Sequence, residues 1–178
     1  MEPFSRLGRT PAVEVLQKPF TFNNGKNIVP AGTYKSYDFF AFYRPDTSRR
    51  LQPNARWSLG PFYTGYKHAY TVGETLRLNN KFNTSLNYTL NNISLADGRF
   101  TTKLLTARVS YSFSTSVFIN ALVQYNSDQR QWSSNIRFNV IHRPLSDFYF
   151  VYNERRNSLT GDLLDRALIA KVNYMMQR

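Results

Sequence analysis

Cysteine is absent from the 178 residues, which excludes a disulfide framework, thiolate metal ligation and a thiol nucleophile. Histidine occurs twice, as His68 and His142, so an acid–base site has few candidates. No apolar run reaches the ~18 residues of a transmembrane helix. Acidic residues are scarce, 11 against 23 Lys plus Arg, for a formal net charge of +12. Such a balance invites a nucleic-acid reading, yet no basic block exists and the longest runs are the pairs Arg49-Arg50 and Arg155-Arg156. Basic residues dispersed along strands and loops do not make a phosphate-backbone footprint, so nucleic acid is not an expected partner. The opening "MEPFSRLGRTPAVEV" has no apolar core after its charges and does not read as a signal peptide. Residues 1–11 read as an irregular N-terminal segment.

What the chain has instead is alternation. In "RQWSSNIRFNVIHRPLSDFYFVYNERR" (130–156), Trp132, Ile136, Phe138 and Val140 fall on even positions with Gln131, Ser133, Asn135, Arg137 and Asn139 between them. The phase continues after "RPLS", with Phe148, Phe150 and Tyr152 opposed to Asp147, Asn153 and Arg155. A period of two is the mark of a strand with different surroundings on its two faces. The same pattern sets Leu105, Ala107, Val109, Tyr111 and Phe113 against Thr106, Arg108, Ser110 and Ser112, and Val117, Ile119, Ala121, Val123 and Tyr125 against Asn120 and Gln124. Ten strands are expected, over 12–22, 33–43, 54–65, 67–78, 81–91, 99–113, 116–126, 130–143, 147–156 and 164–176. The fold class is therefore all-β, an antiparallel meander occupying 12–178.

The connections alternate between tight ("NN", "STS", "PLS") and longer ("NISLADG", "SDQ", "NSLTGDL"). Short turns at one end and longer loops at the other are typical of outer-membrane barrels. Trp and Tyr favour membrane interfaces, and on the apolar faces Tyr111, Phe113, Phe148 and Tyr174 fall toward the tight-turn end while Tyr88, Tyr125 and Trp132 fall toward the other. An aliphatic band lies between, blurred by Phe138 and Phe150, with Glu74 as a charged exception. The opposite face, with Asn83, Asn87, Asn120, Gln124 and Asn139 beside Arg56, Arg77, Arg108, Arg137 and Lys171, is too polar for a dry core. A polar lumen accommodates it. Two roles for the five basic residues stay open: biasing a lumen toward anions, or pairing with Asp38, Asp147 or Asp165.

The blocks "FINALVQYNSD" (118–128), "WSSNIRFNVIHRPLSDFYFVYNERR" (132–156) and "DRALIAKVNY" (165–174), preceded by "PFTFNNGKNIVPAGTYK", "GPFYTG" and "LADGRFTTKLL", resemble a known family. It is the C-terminal β-barrel, a domain of unknown function, of bacterial proteins that carry an N-terminal family 9 carbohydrate-binding-like module. The resemblance covers roughly 17–178 and implies an outer-membrane location, with lipid and the barrel assembly machinery as partners, and a larger parent barrel of which this is the last part. Two features depart from it: the sugar-binding-like module is absent, and the chain ends "NYMMQR" without a terminal aromatic, Tyr174 being the nearest.

The expected function is a non-enzymatic outer-membrane barrel segment passing or binding an envelope solute, such as an oligosaccharide or other anionic solute, with no cofactor and no metal site. A soluble antiparallel β domain with a basic face produces the same alternation, and a third reading is an outer-membrane hydrolase built on His142, Ser146 and Asp147. Against the last, His142 falls on the apolar phase, Ser146 in the turn and Asp147 on the polar phase. "RPLSD" has a plainer account: Pro144 suits a tight joint that needs no ladder donor, Ser146 completes the turn, and Arg143 is expected to pair with Asp147 across it. "GDLLD" (161–165) could meet a divalent cation, but no P-loop, dinucleotide fingerprint or zinc spacing appears.

Overall fold

Alternating β-branched and aromatic residues with few glycines and no helical period favour strand over helix, and the computed structural model is all strand and turn. It describes residues 4–22, 25, 27–46, 48–143 and 146–174. Ten strands form one antiparallel sheet in chain order: β1 (Phe4–Leu16), β4 (Gly32–Arg44), β5 (Leu51–Phe62), β6 (Gly65–Arg77), β7 (Phe82–Leu95), β8 (Gly98–Ser112), β9 (Val117–Asn126), β10 (Gln131–Arg143), β11 (Ser146–Asn157) and β12 (Leu163–Asn173). Between β1 and β4 the chain makes a separate two-stranded hairpin, β2 (Phe20–Phe22) and β3 (Asn27–Val29). β1 pairs only with β4 and β12 only with β11, so among the described residues the sheet has two edges.

The N-terminal reading needs correction. Residues 4–11, expected to be irregular, are strand, paired with β4 from Phe4 opposite Arg44 to Leu16 opposite Gly32. Gly8 and Pro11 disguise the alternation there. Pro11 sits on an edge strand, the place in a sheet where proline is tolerated. The strand expected over 12–22 is divided, since β1 ends at Leu16 and β2 belongs to the small hairpin.

The expected asymmetry of connections is also corrected. "NISLADG" is not a long loop: β7 runs on to Leu95 and β8 begins at Gly98, where a φ of 147° suits glycine. The turn between β5 and β6 is as short, spanning 63–64. Tyr63 adopts φ 51° there, unusual for a side chain of its size, and its ring packs edge-on against Tyr34 at 5.1 Å and Phe62 at 4.6 Å.

Register is continuous across the main sheet. One row starts at Ser5, the second residue of β1, and runs through Tyr43, Ala55, Val72, Tyr88, Leu105, Tyr125, Trp132 and Arg156 to Leu163, the first residue of β12. Because β1 and β12 run in opposite directions, this row crosses the sheet from one end to the other. The strands are thus heavily staggered, as in a tilted barrel wall. Register shifts occur at Ile141/Arg143 and Arg155/Arg156, near strand ends.

Among the described residues the only buried hydrophobics are Val29, Ile93 and Leu95. They form one cluster, with Leu16, Tyr34, Phe62, Tyr63 and Phe100 packed against it. The hairpin therefore lies on the polar side of the sheet at the end holding Leu16, Phe62 and Leu95. Side chains from β1, β4, β5, β7 and β8 converge on it, so the sheet curves around the hairpin there.

Two glycines permit close approach on the polar face. A Cβ at Gly60 would strike the Tyr37 carbonyl and the Asp38 side chain, and one at Gly73 would strike the Asn54 and Asn87 side chains. Backbone cannot yield as a flexible side chain can, so Gly60→Val is expected to cost about 1–3 kcal/mol. Gly32→Ala, whose Cβ would meet only the Tyr34 ring at 3.7 Å, should cost much less. Urea midpoints of the detergent-folded protein compare the two.

Candidate functional site

In an antiparallel ladder, directly paired residues project to the same face, so the register assigns every strand side chain. One face carries Leu7, Phe39, Trp57, Tyr70, Leu86, Val109, Val123, Ile136, Phe150 and Leu168, all exposed large hydrophobics. Exposure rises toward the edges, to 81% at Leu7 and 70% at Val172. The opposite face carries Asn, Ser, Thr, Gln and basic side chains, with Phe40, Phe42, Phe118, Leu122 and Tyr149 among them.

Aromatics mark both ends of the apolar face. Tyr125 and Trp132 lie side by side, ring centroids 4.9 Å apart, at the β9–β10 turn. At the other end Phe82 and Tyr111 are 6.4 Å apart, Tyr111 and Phe113 meet edge-on at 4.8 Å, and Phe148 sits between Val140 and Val172. Tyr174 lies just beyond β12 on the same phase and is exposed. Tyr88 departs from expectation: with β7 reaching Leu95, it stands mid-strand and not near a strand end. Glu74 is on the apolar face, opposite Leu86 and Pro53, close to the end of β6.

The charges on the apolar face near the β11–β12 turn are paired with one another. Glu154 accepts from Arg156, from Arg166 at 2.7 Å and from the Tyr152 hydroxyl. This network was not apparent in the sequence, although "YNERR" followed by Arg166 in the facing strand carried its signal.

All five basic residues expected on the polar face are there, each exposed. Arg77 and Arg137 lie in one row, separated by Asn83, Ser110 and Asn120. Arg108 is two residues along β8 from Ser110, and Lys171 pairs with Tyr149, itself opposite Asn139. Arg56 stacks over the Phe40 ring at 4.7 Å and Arg137 over the Tyr149 ring at 4.3 Å. Arg137 Nε donates to Asn139 Oδ1 at 2.8 Å, and Asn139 is buried. Among the described residues none of the five forms an ion pair; the pairs present are Arg155–Asp165, Arg156–Glu154 and Arg166–Glu154. Pairing of the five with Asp38, Asp147 or Asp165 therefore does not occur there.

The polar side chains between them bond to one another. Ser110 Oγ donates to Asn120 at 2.8 Å, Thr71 and Thr89 meet at 3.0 Å, Asn91 donates to Thr102 at 3.0 Å and Asn135 to Asn153. No described buried side-chain N or O atom lacks a partner.

The joint between β10 and β11 differs from expectation. Pro144 lies outside the described residues. The register shift places Arg143 opposite Ser146 and Asp147 opposite Ile141, so Asp147 does not face Arg143. Its carboxylate instead accepts from Asn173 at 2.8 Å. His142 falls in the same irregularity, where the ladder passes from Ile141 to Arg143. Among the described residues no group of three or more His, Asp or Glu is placed to hold a metal ion, and Asp165 of "GDLLD" is engaged by Arg155 at 3.2 Å.

The hairpin is the other part the sequence concealed, although "FNNGKN" is a turn signal between apolar residues. Val29 is fully buried. Tyr63, at the adjacent turn, is hydrogen-bonded to Glu14 of β1, and burial, with that bond, pushes its phenol up to about 12.

No family model matches the chain, and no curated protein matches it. Among solved structures it is similar to a KdgM porin, with TM-score 0.42 and 10% identity over 99% of this chain and 98% of that one. A KdgM porin in complex with disordered oligogalacturonate gives TM-score 0.42 and 10% identity over 99% of this chain and 96% of that one. A likeness of this degree carries no argument about function.

Replacing Val29 with Asp forfeits about 1.5–3 kcal/mol of apolar burial and inserts a charge. The expected result is faster proteolytic cleavage within 17–31, with the far-ultraviolet dichroism of the ten-stranded sheet retained.

Proposed function

We propose that this chain is a membrane-spanning wall of a bacterial outer-membrane β-barrel, non-enzymatic, whose polar face lines a path for an anionic or carbohydrate solute. One observation carries the reading: large hydrophobics are exposed along one entire face of a ten-stranded sheet, while Val29, Ile93 and Leu95 are the only buried hydrophobics among the described residues. In water so continuous an apolar surface would be an aggregation or docking patch. Facing lipid, it is the stabilising surface, and aromatics near the strand ends suit the interfaces.

The polar face supports the second half of the proposal. Several of its amides and hydroxyls bond to one another, whereas Arg56, Arg77, Arg108, Arg137 and Lys171 form no ion pair among the described residues. Uncompensated cations beside a water-filled path raise the local concentration of anions. Membership of the barrel family that accompanies a family 9 carbohydrate-binding-like module belongs to the same proposal, as do outer-membrane lipid and the barrel assembly machinery as partners. The hydrolase alternative predicts that His142→Ala abolishes ester hydrolysis; on the present reading any residual ester hydrolysis is identical in both proteins.

The membrane reading makes a directional prediction about faces. Ile136→Arg places a charge mid-strand on the apolar face and should cost about 2–4 kcal/mol in lipid, whereas Gln124→Arg on the polar face should be nearly neutral. Equilibrium folding into vesicles measures both. A protein that remains a monodisperse monomer without detergent, or equal costs for the two substitutions, would overturn the assignment in favour of a soluble β domain.

A further inference from the structure

Arg77, Arg108, Arg137 and Lys171 stand on β6, β8, β10 and β12, that is, on every second strand. Neighbouring strands lie about 4.8 Å apart, so successive cations are spaced about 10 Å apart across the sheet. The residues between Arg77 and Arg137 in their shared row are Asn83, Ser110 and Asn120, short side chains that hydrogen-bond and do not obstruct. Arg137 is fixed from behind by buried Asn139 and lies against the Tyr149 ring, which reduces the entropy lost when it engages an anion. The row is also inclined. Since the line from Ser5 to Leu163 crosses the sheet from end to end, a path perpendicular to the strands climbs the wall of a tilted barrel.

We propose that these rungs form a binding track for a linear polyanionic oligosaccharide, one bearing a carboxylate or sulfate on repeating sugars. Successive anionic groups engage Arg77, Arg108, Arg137 and Lys171, and sugar hydroxyls engage Asn83, Ser110 and Asn120. The track rests on the lumen assignment above and narrows it from anions in general to extended chains with repeated charge. Each contact is individually weak and solvent-screened, which suits handing a chain from rung to rung, since conduction requires multiple weak sites. Single-stranded nucleic acid is the other extended polyanion, but it is held by base stacking on aromatics. Amides and a hydroxyl separate Arg77 from Arg137, and Arg137 itself covers Tyr149.

The test uses the full chain folded in detergent micelles and titrated calorimetrically with uronic-acid dimers and hexamers, a sulfated hexasaccharide, a neutral hexasaccharide and a DNA hexanucleotide. The acidic hexamer should bind at least about tenfold tighter than the dimer, because it engages several rungs at once. The double variant Arg77→Gln/Arg137→Gln should lose about tenfold in hexamer affinity while the dimer changes little. Preference for the uronate or the sulfated chain identifies the anionic group, and either supports the track. Neutral and acidic hexamers binding alike, hexamer and dimer binding alike, or an unaffected double variant would overturn it, as would tighter binding of the hexanucleotide. Vesicle insertion and heat-modifiable mobility of the same samples separate the two levels: a protein that inserts but does not discriminate by length overturns the track alone.

Discussion

Everything in this molecule depends on register. Along a strand, side chains alternate between faces, and slipping one pair by a single residue would send every apolar side chain of that strand to the wrong side. From Ser5 to Arg156 the row of paired residues keeps the same face through nine strands, and only its last step, to Leu163, crosses a register shift. The two irregularities, at Ile141/Arg143 and Arg155/Arg156, lie close to strand ends, where few residues follow and the faces need not be preserved. A shift in the middle of β10 would have exchanged Ile136 and Arg137.

That alternation also distributes the energetic problems. The apolar face needs no internal partners, and of its few charges Arg9 lies over the Tyr37 ring at 4.3 Å. Near the β11–β12 turn Arg156 and Arg166 share the carboxylate of Glu154, and Glu74 lies close to the end of β6. The polar face solves the opposite problem by cross-strand pairs such as Ser110 with Asn120 and Asn135 with Asn153, so its amides are satisfied without an apolar core. Its cations are the residues left over, and that surplus distinguishes a functional lining from mere filling.

Period-two alternation made the six C-terminal strands and the two faces legible in the sequence, because each side chain's face follows from its position alone. The features that escaped depend on contacts between distant segments or on glycine and proline. Gly8 and Pro11 hid β1, and Asp97-Gly98 closed a tight turn inside what resembled a loop. The β2–β3 hairpin has a turn signal of its own, but nothing in its composition indicates that Val29 meets Ile93 and Leu95 on another part of the chain. The ion pair expected between Arg143 and Asp147 failed because a bulge, invisible in composition, moved Ser146 opposite Arg143. The five basic side chains were assigned to a face from phase alone, whereas their freedom from carboxylates required knowing where Asp147 and Asp165 go.

The edges impose the final constraint. In hydrocarbon, an unpaired strand edge has no water to satisfy its backbone groups, and only closed β-structures span a bilayer. A membrane wall with the apolar face described here therefore requires β1 and β12 each to find a further partner, whether each other or additional strands. Pro11 in β1 donates nothing to either neighbour, so the ladder lacks one bond at that position. The stagger constrains the partner as well: a strand joining β12 must continue the displacement that carries the row from one end of β1 to the opposite end of β12. Only then do the apolar band and the basic rungs continue without a break, since a partner joined out of phase would turn its apolar side chains toward Lys171 and its polar ones toward lipid.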